Sequence, residues 1–248
     1  MEFLLGFLIA AAVGLTGVGA GSITAPVLIL FLGVSPASSV GTALAFASVI
    51  KLVALPLYMR RRQIDYRILL LLCSGGIPGV LVGVYVLGSF NTRDHERGIF
   101  LLLGITILTV SLATLYRSIR NRLTVSKGDQ SRWLPPLAAV IGGEVGFSSA
   151  GAGALGSVAL LNLTTLTPAK VVGTDMVFGL VVSVIGGGIH VSAGHYDGNI
   201  LLKLVIGGVV GAFFGASLSS ILPARPLRLA LSVWLASLGA QLCWRALT

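Results

Sequence analysis

The sequence predicts an all-α polytopic membrane protein made of two four-element repeats, inverted relative to each other. Each repeat begins with a broken or re-entrant helix hairpin, giving about eight transmembrane elements. Three observations predict this. Of the 248 residues, 55% are hydrophobic and 10% charged, and the mean hydropathy is +0.98, which lies outside the composition of soluble globular domains. The second half repeats the first at a constant offset. The Lys and Arg residues of the connections are distributed unequally, as cytoplasmic and external loops are.

Crossing about 30 Å of hydrocarbon takes roughly 20 apolar residues in a helix. Six segments read as ordinary spans: Ala37–Tyr58, Ile68–Phe90, Gly98–Tyr116, Ala169–Val191, Ile200–Leu222 and Leu227–Leu247. Two segments, Phe3–Gly33 and Leu134–Thr165, are different, at about 31 residues each. As one straight helix each would measure roughly 46 Å, too long for an untilted crossing. Each is also interrupted near its middle by small residues, GLTGVGAGS from Gly14 in the first and GFSSAGAGA from Gly146 in the second.

A shift of 132 residues aligns Val13–Tyr85 with Val145–Ser217 without a gap, and 22 of the 73 pairs are identical. Gly14 falls on Gly146, and Gly19-Ala20-Gly21 on Gly151-Ala152-Gly153. PASSVGTA from Pro36 falls on PAKVVGTD from Pro168, and Asp65 on Asp197. Gly75, Gly76, Gly79 and Gly83 fall on Gly207, Gly208, Gly211 and Gly215. The chain is thus one transmembrane unit over 1–248, with a first repeat at 1–120, a polar linker at 121–132 and a second repeat at 133–248.

If the broken elements cross the membrane, the halves are parallel; if they fold back, the halves are inverted. Arg60, Arg61, Arg62 and Arg67 crowd one connection, whereas its repeat mate, SAGHYDGN, has no Lys or Arg. Inversion puts those four on one side with Arg117, Arg120, Arg122, Lys127, Arg132, Lys170, Arg225 and Arg228, against Arg93, Arg97 and Arg245 on the other. That is twelve against three, while the parallel arrangement gives ten against five. Inversion is therefore expected, with both termini outside the cytoplasm. The formal charge of +9 is anchoring charge in short connections, so the partner expected is the lipid bilayer and not nucleic acid. Glu2 stands where a signal peptide would be basic, and no A-x-A-like site follows, so cleavage is not expected. Cys73 and Cys243 lie in apolar runs without a C-x-x-C and read as packing residues.

Irregular backbone at membrane depth leaves polar groups that hydrocarbon cannot satisfy, so it survives only inside protein or beside a water-filled cavity. Paired broken helices are also how secondary transporters build midplane sites, with helix N-termini directed at anions. The candidate binding residues are Gly17, Gly19, Gly21 and Ser22 at the first break, and Ser148, Ser149, Gly151 and Gly153 at the second, with Thr42 and Thr174 from the repeated V-G-T. A Thr hydroxyl can equally bond its own helix. The spaced glycines from Gly75 and from Gly207 read as helix-packing stripes. A phosphate loop is excluded, because G-K-[ST] is absent.

Ionisable residues within spans are costly and point to function. Glu144 and Asp175 are candidates for coupling to a proton or cation, against an ion-pair or capping role. Lys51, a further coupling candidate, either meets an anionic substrate or snorkels toward headgroups near Tyr58; the roughly 10 Å of helix between it and the segment end favours snorkelling. His190 and His195 carry no metal-protease motif and are expected at an interface. No metal and no cofactor are called for.

The tract Gly14-Leu15-Thr16-Gly17-Val18-Gly19-Ala20-Gly21, an apolar run and then P-A-x-x-V-G-T, all repeated in the second half, resembles the TauE/SafE family, the domain of unknown function 81 group. The resemblance covers essentially the whole chain. It implies a non-enzymatic inner-membrane permease or exporter of small anions such as sulfite, sulfoacetate or thiosulfate. The motif falls on Gly17, Gly19, Gly21, Pro36, Gly41 and Thr42, and on Gly151, Gly153, Pro168, Gly173 and Thr174. The second half departs from the first where Ser148-Ser149 replaces Thr16-Gly17 and Asp175 replaces Ala43. Two other classes remain in view, a cation or metal transporter using Glu144 and Asp175, and an intramembrane enzyme, for which no paired nucleophile and base is visible. The oligomeric state is open in the sequence, a homodimer included.

Overall fold

The computed structural model describes residues 1–16, 19–90, 96–120, 130–150, 153, 155–218 and 224–247. Its regular structure is entirely helical: α1 Glu2–Thr16, α2 Ala20–Leu32, α3 Pro36–Arg60, α4 Tyr66–Phe90, α5 Glu96–Arg120, α6 Leu134–Ser148, α7 Leu155–Leu163, α8 Pro168–Ser192, α9 Gly198–Leu218 and α10 Ala224–Leu247, with a short 3-10 turn at Ser131–Trp133 before α6. Among the described residues, α3, α4, α5, α8 and α9 are each long and apolar enough to cross a bilayer. The chain is a multi-pass membrane protein. Each overlong segment is broken where the glycines predict, into α1 and α2 and into α6 and α7. Residues 121–129 of the linker and the expected end of the ninth helix at Leu222 lie outside the described residues.

Local chemistry sets the helix boundaries. Pro36 and Pro168 open α3 and α8, where a missing N–H costs nothing. Gly33, at φ 64°, ends α2 in the left-handed conformation that glycine adopts without strain. Asp65 Oδ1 accepts the Ile68 N–H at 3.2 Å, and Asp197 Oδ1 accepts the Ile200 N–H at 2.9 Å. The repeated aspartate thus caps the first turns of α4 and α9.

The glycine stripes do what small-residue spacing predicts. Gly75, Gly79 and Gly83 of α4 lie on the backbones of Pro135, Ala139 and Gly143 in α6; Gly207, Gly211 and Gly215 of α9 lie on Phe3, Phe7 and Ala11 in α1. In every case an added Cβ would meet a main-chain carbonyl. Such approach maximises dispersion contact, which drives helix association where lipid competes equally for apolar surface. Each stripe's bulky neighbour also recurs, with Phe178 against Gly76 and Phe46 against Gly208.

These contacts fix the sense of each pairing. Residue numbers rise together along α4 and α6 and along α1 and α9, so the partners run parallel. They run in opposite senses where Gly41 and Leu44 of α3 meet His190 and Gly187 of α8 while Lys51 meets Ser183. The same is true of α5 and α10, where Gly104 meets Cys243 and Leu108 meets Gly239. Each half's first helix therefore packs one face against the other half.

Gly79→Ala and Gly211→Ala are each expected to cost about 1–3 kcal/mol by overpacking, read as a fall in Tm in detergent. Gly88→Ala, with no atom within 4 Å of the added carbon, is the control and leaves Tm unchanged or slightly raised.

Candidate functional site

The two breaks meet. Gly19, with φ −60° and ψ 130°, is the N-cap of α2 and has no side chain to occupy the helix end. Ser22 N–H turns back to Gly19 O at 3.1 Å, tightening the first turn. Ser149 ends α6 at φ 58° and donates its hydroxyl to Gly21 O at 2.8 Å. A Cβ on Gly21 would collide with the Ser149 carbonyl, so glycine is required there by the approach of the other break. Ser22, Ser148 and Ser149 are all at most 4% exposed. Gly17, Val18 and Gly151 lie outside the described residues.

The serines of the second break are already committed. Ser148 donates to Glu144 Oε1 at 2.8 Å and accepts the Ala150 N–H at 3.1 Å. A serine has one proton to give; that of Ser148 goes to Glu144 and that of Ser149 to Gly21. Both hydroxyl protons are thus engaged within the protein, beside the first turn of α2. Gly153, at φ 98°, cannot be helical, although its repeat mate Gly21 is the second residue of α2.

Thr42 and Thr174, both fully buried, also have another task. Thr42 Oγ1 accepts the Asp197 N–H and Thr174 Oγ1 accepts the Asp65 N–H, each at 3.0 Å. Beside them, Gly41 admits the carbonyl of His195 and Gly173 that of Gln63. The repeated V-G-T is a clamp by which each half holds the connection that caps a helix of the other. These bonds give the two threonines a structural task beside the substrate-facing one expected of them.

Lys51 does not snorkel. Its ammonium donates to Ser183 Oγ of α8 at 3.1 Å, inside the bundle, and Ser183 is the residue exactly one repeat away from it. Asp175, 3% exposed, accepts the Ser157 hydroxyl at 2.6 Å. His190 is fully buried, not interfacial; its Nε2 lies 3.5 Å from Gly146 O and its ring 6.0 Å from that of His195. The two histidines border a cavity of about 290 Å³ shared with Tyr85 and Ser89. Ser157 and Ser183 are the residues that sequence reasoning missed. Their repeat mates are Ala25 and Lys51, so a search for matched polar pairs passes over them.

Thr174→Val is expected to leave the Asp65 N–H unpaired at a cost of about 1–3 kcal/mol, seen as faster hydrogen exchange in residues 61–65. Thr42→Val does the same to residues 193–197. Exchange that quickens in the half carrying the substitution, and not in the other, would contradict the clamp.

The family model described as Sulfite exporter TauE/SafE matches residues 2–242. The probable membrane transporter protein YjnA of Bacillus subtilis (strain 168) is 30% identical over 238 residues, covering 91% of this chain and 92% of its own. YunE of the same organism, also a probable membrane transporter protein, is 26% identical, with 97% of this chain and 96% of its own covered. No solved structure matches the chain. A multi-pass helical protein whose two broken segments meet, matched by that model over nearly its full length, belongs to the sulfite exporter TauE/SafE family of membrane transporters.

Proposed function

We propose that the protein is a secondary transporter, permease or exporter, of small sulfur-containing anions such as sulfite, sulfoacetate or thiosulfate, working in the cell's inner membrane. The anion sits between the two breaks. The observation that carries this reading is the Ser149–Gly21 contact. It brings the second break to the uncapped N-terminus of α2, where first-turn N–H groups and the positive end of the helix dipole favour negative charge. Glu144 and Asp175 are the carboxylates available to couple anion movement to a proton.

The reading includes two inverted repeats, 1–120 and 133–248. It is supported by the opposed senses of α3 and α8 and of α5 and α10, which are repeat mates. The parallel pairings of α1 with α9 and of α6 with α4 then require α2 and α7 to turn back as re-entrant segments. Rocking of one half against the other would expose the junction to each side in turn.

Uptake of sulfite, sulfoacetate and thiosulfate into proteoliposomes tests the reading. At least one is expected to move, and Gly19→Leu, alone or with Gly151→Leu, is expected to lower the initial rate at least about tenfold, on the scale of 1.4 kcal/mol per tenfold, while the protein still elutes as a single species. No flux of any of them, with the variant indistinguishable from wild type, would sink the proposal. Reporters fused to the two termini should both read outside the cytoplasm; both reading cytoplasmic, as the parallel arrangement requires, or one alone doing so, would remove the inversion. The buried Asp175 favours a second reading, cation transport, which flux dependent on that carboxylate and indifferent to anions would support.

A further inference from the structure

The two halves differ most at the helix that follows each break. In the second half, Gly156 and Ser157 are in the first turn of α7, a helix of nine residues. Asp175 reaches this turn from α8, with Oδ2 taking the Ser157 hydroxyl at 2.6 Å and Oδ1 lying where a Cβ on Gly156 would be. That Oδ1 is buried and has no hydrogen-bond partner. In the first half, α2 has no side-chain cap, and the positions matching Asp175, Ser157 and Glu144 are Ala43, Ala25 and Ala12.

Lys51 is the charge that acts on the carboxylate through space, but among the described residues no salt bridge holds Asp175. Lys51, reaching in from α3, gives its ammonium to Ser183, two turns further along α8. The face of α4 against α8 offers Gly76, Val80 and Val84. Glu144 of α6 is engaged with Ser148, and α7 contributes Ser157. What Asp175 does face is the start of α7, where the first N–H groups of a helix lack intrahelical acceptors and negative charge is favoured.

We propose that Asp175 is a tethered anion. Its carboxylate occupies, at α7, the kind of site that α2 leaves open to substrate, so the transporter has one open anion site and not two symmetric ones. With the carboxylate removed, a small free monoanion of the same chemistry takes its place. The inference deepens the anion-transport reading, and its functional consequence rests on that reading, but occupancy of the α7 site can be tested without transport.

The test is thermal denaturation of the full chain in detergent, in sodium formate against sodium gluconate of equal ionic strength, gluconate being too large for the space of one carboxylate. Asp175→Ala should show a saturating upward shift of Tm with formate. Wild type, and Asp175→Asn with its space still filled, should show only the smaller shift that formate at the α2 N-terminus gives, so that the excess in Asp175→Ala reads the α7 site. Where Asp175→Ala is not recovered folded without an added anion, its monodisperse yield with and without formate gives the same readout. No gain in Tm or yield overturns the proposal, and so does an equal formate shift in wild type. A wild-type Tm that follows the nature of the alkali cation, with Asp175→Ala indifferent to formate, makes the carboxylate a cation ligand and also overturns it. Absence of sulfite flux in wild type would count against the transport reading and leave the Tm result standing.

Discussion

Hydrocarbon supplies no hydrogen-bond partner to an interrupted helix, and every feature of this fold can be traced to that deficit. A break at membrane depth exposes the last carbonyls of one segment and the first N–H groups of the next, each costing several kcal/mol if left in lipid. Here the breaks are placed against each other. Ser149 closes α6 in a left-handed turn and satisfies the Gly21 carbonyl, while Ser148 bonds the Ala150 N–H at the same point. The helices that carry the breaks, α1 and α6, each pack one face on α9 and α4, whose glycines let backbone touch backbone.

Because each first helix packs on the opposite half, neither half has a complete core of its own. The V-G-T clamps extend this interleaving to the membrane surface. A threonine in each half holds the main chain of the other half's connection, and the aspartate so positioned caps the helix that carries the glycine stripe. Clamp, cap and stripe form one continuous device in each direction. A rearrangement that exposes the breaks alternately must therefore be concerted, since a half cannot tilt without carrying the connection clamped to it.

Much of this was legible in the sequence. The long spans, the two breaks, the offset of 132 residues and the packing role of the spaced glycines follow from hydropathy and pattern, because in lipid a helix must be nearly continuous and small residues have few other uses at that spacing. The site was legible only in part. Thr42 and Thr174 were visible as a matched pair, but the backbone N–H groups that donate to them lie 155 and 109 residues away, and no local pattern tells a clamp from a substrate contact. Lys51 turned inward because Ser183 faces it across the interface between the halves, where a single helix considered alone offers it only the headgroups. Asp175 was visible as a departure from the repeat, whereas Ser157, which gives that departure its chemistry, matches an alanine and left no trace.

The chain's asymmetry gives the family resemblance a physical content. Two equivalent breaks would offer two equivalent N-termini, yet the carboxylates Glu144 and Asp175 belong to the second half alone and leave the first as the electropositive member of the pair. The central claim is that a small oxyanion sits at the junction of the breaks. It is tested most directly by anomalous scattering at the selenium edge from crystals grown with selenite, a heavier analogue of sulfite. The account predicts a peak against the α2 N-terminus near Gly19, Gly21 and Ser149. A well-ordered map with no peak there, or with its strongest protein-bound peak elsewhere, would contradict it.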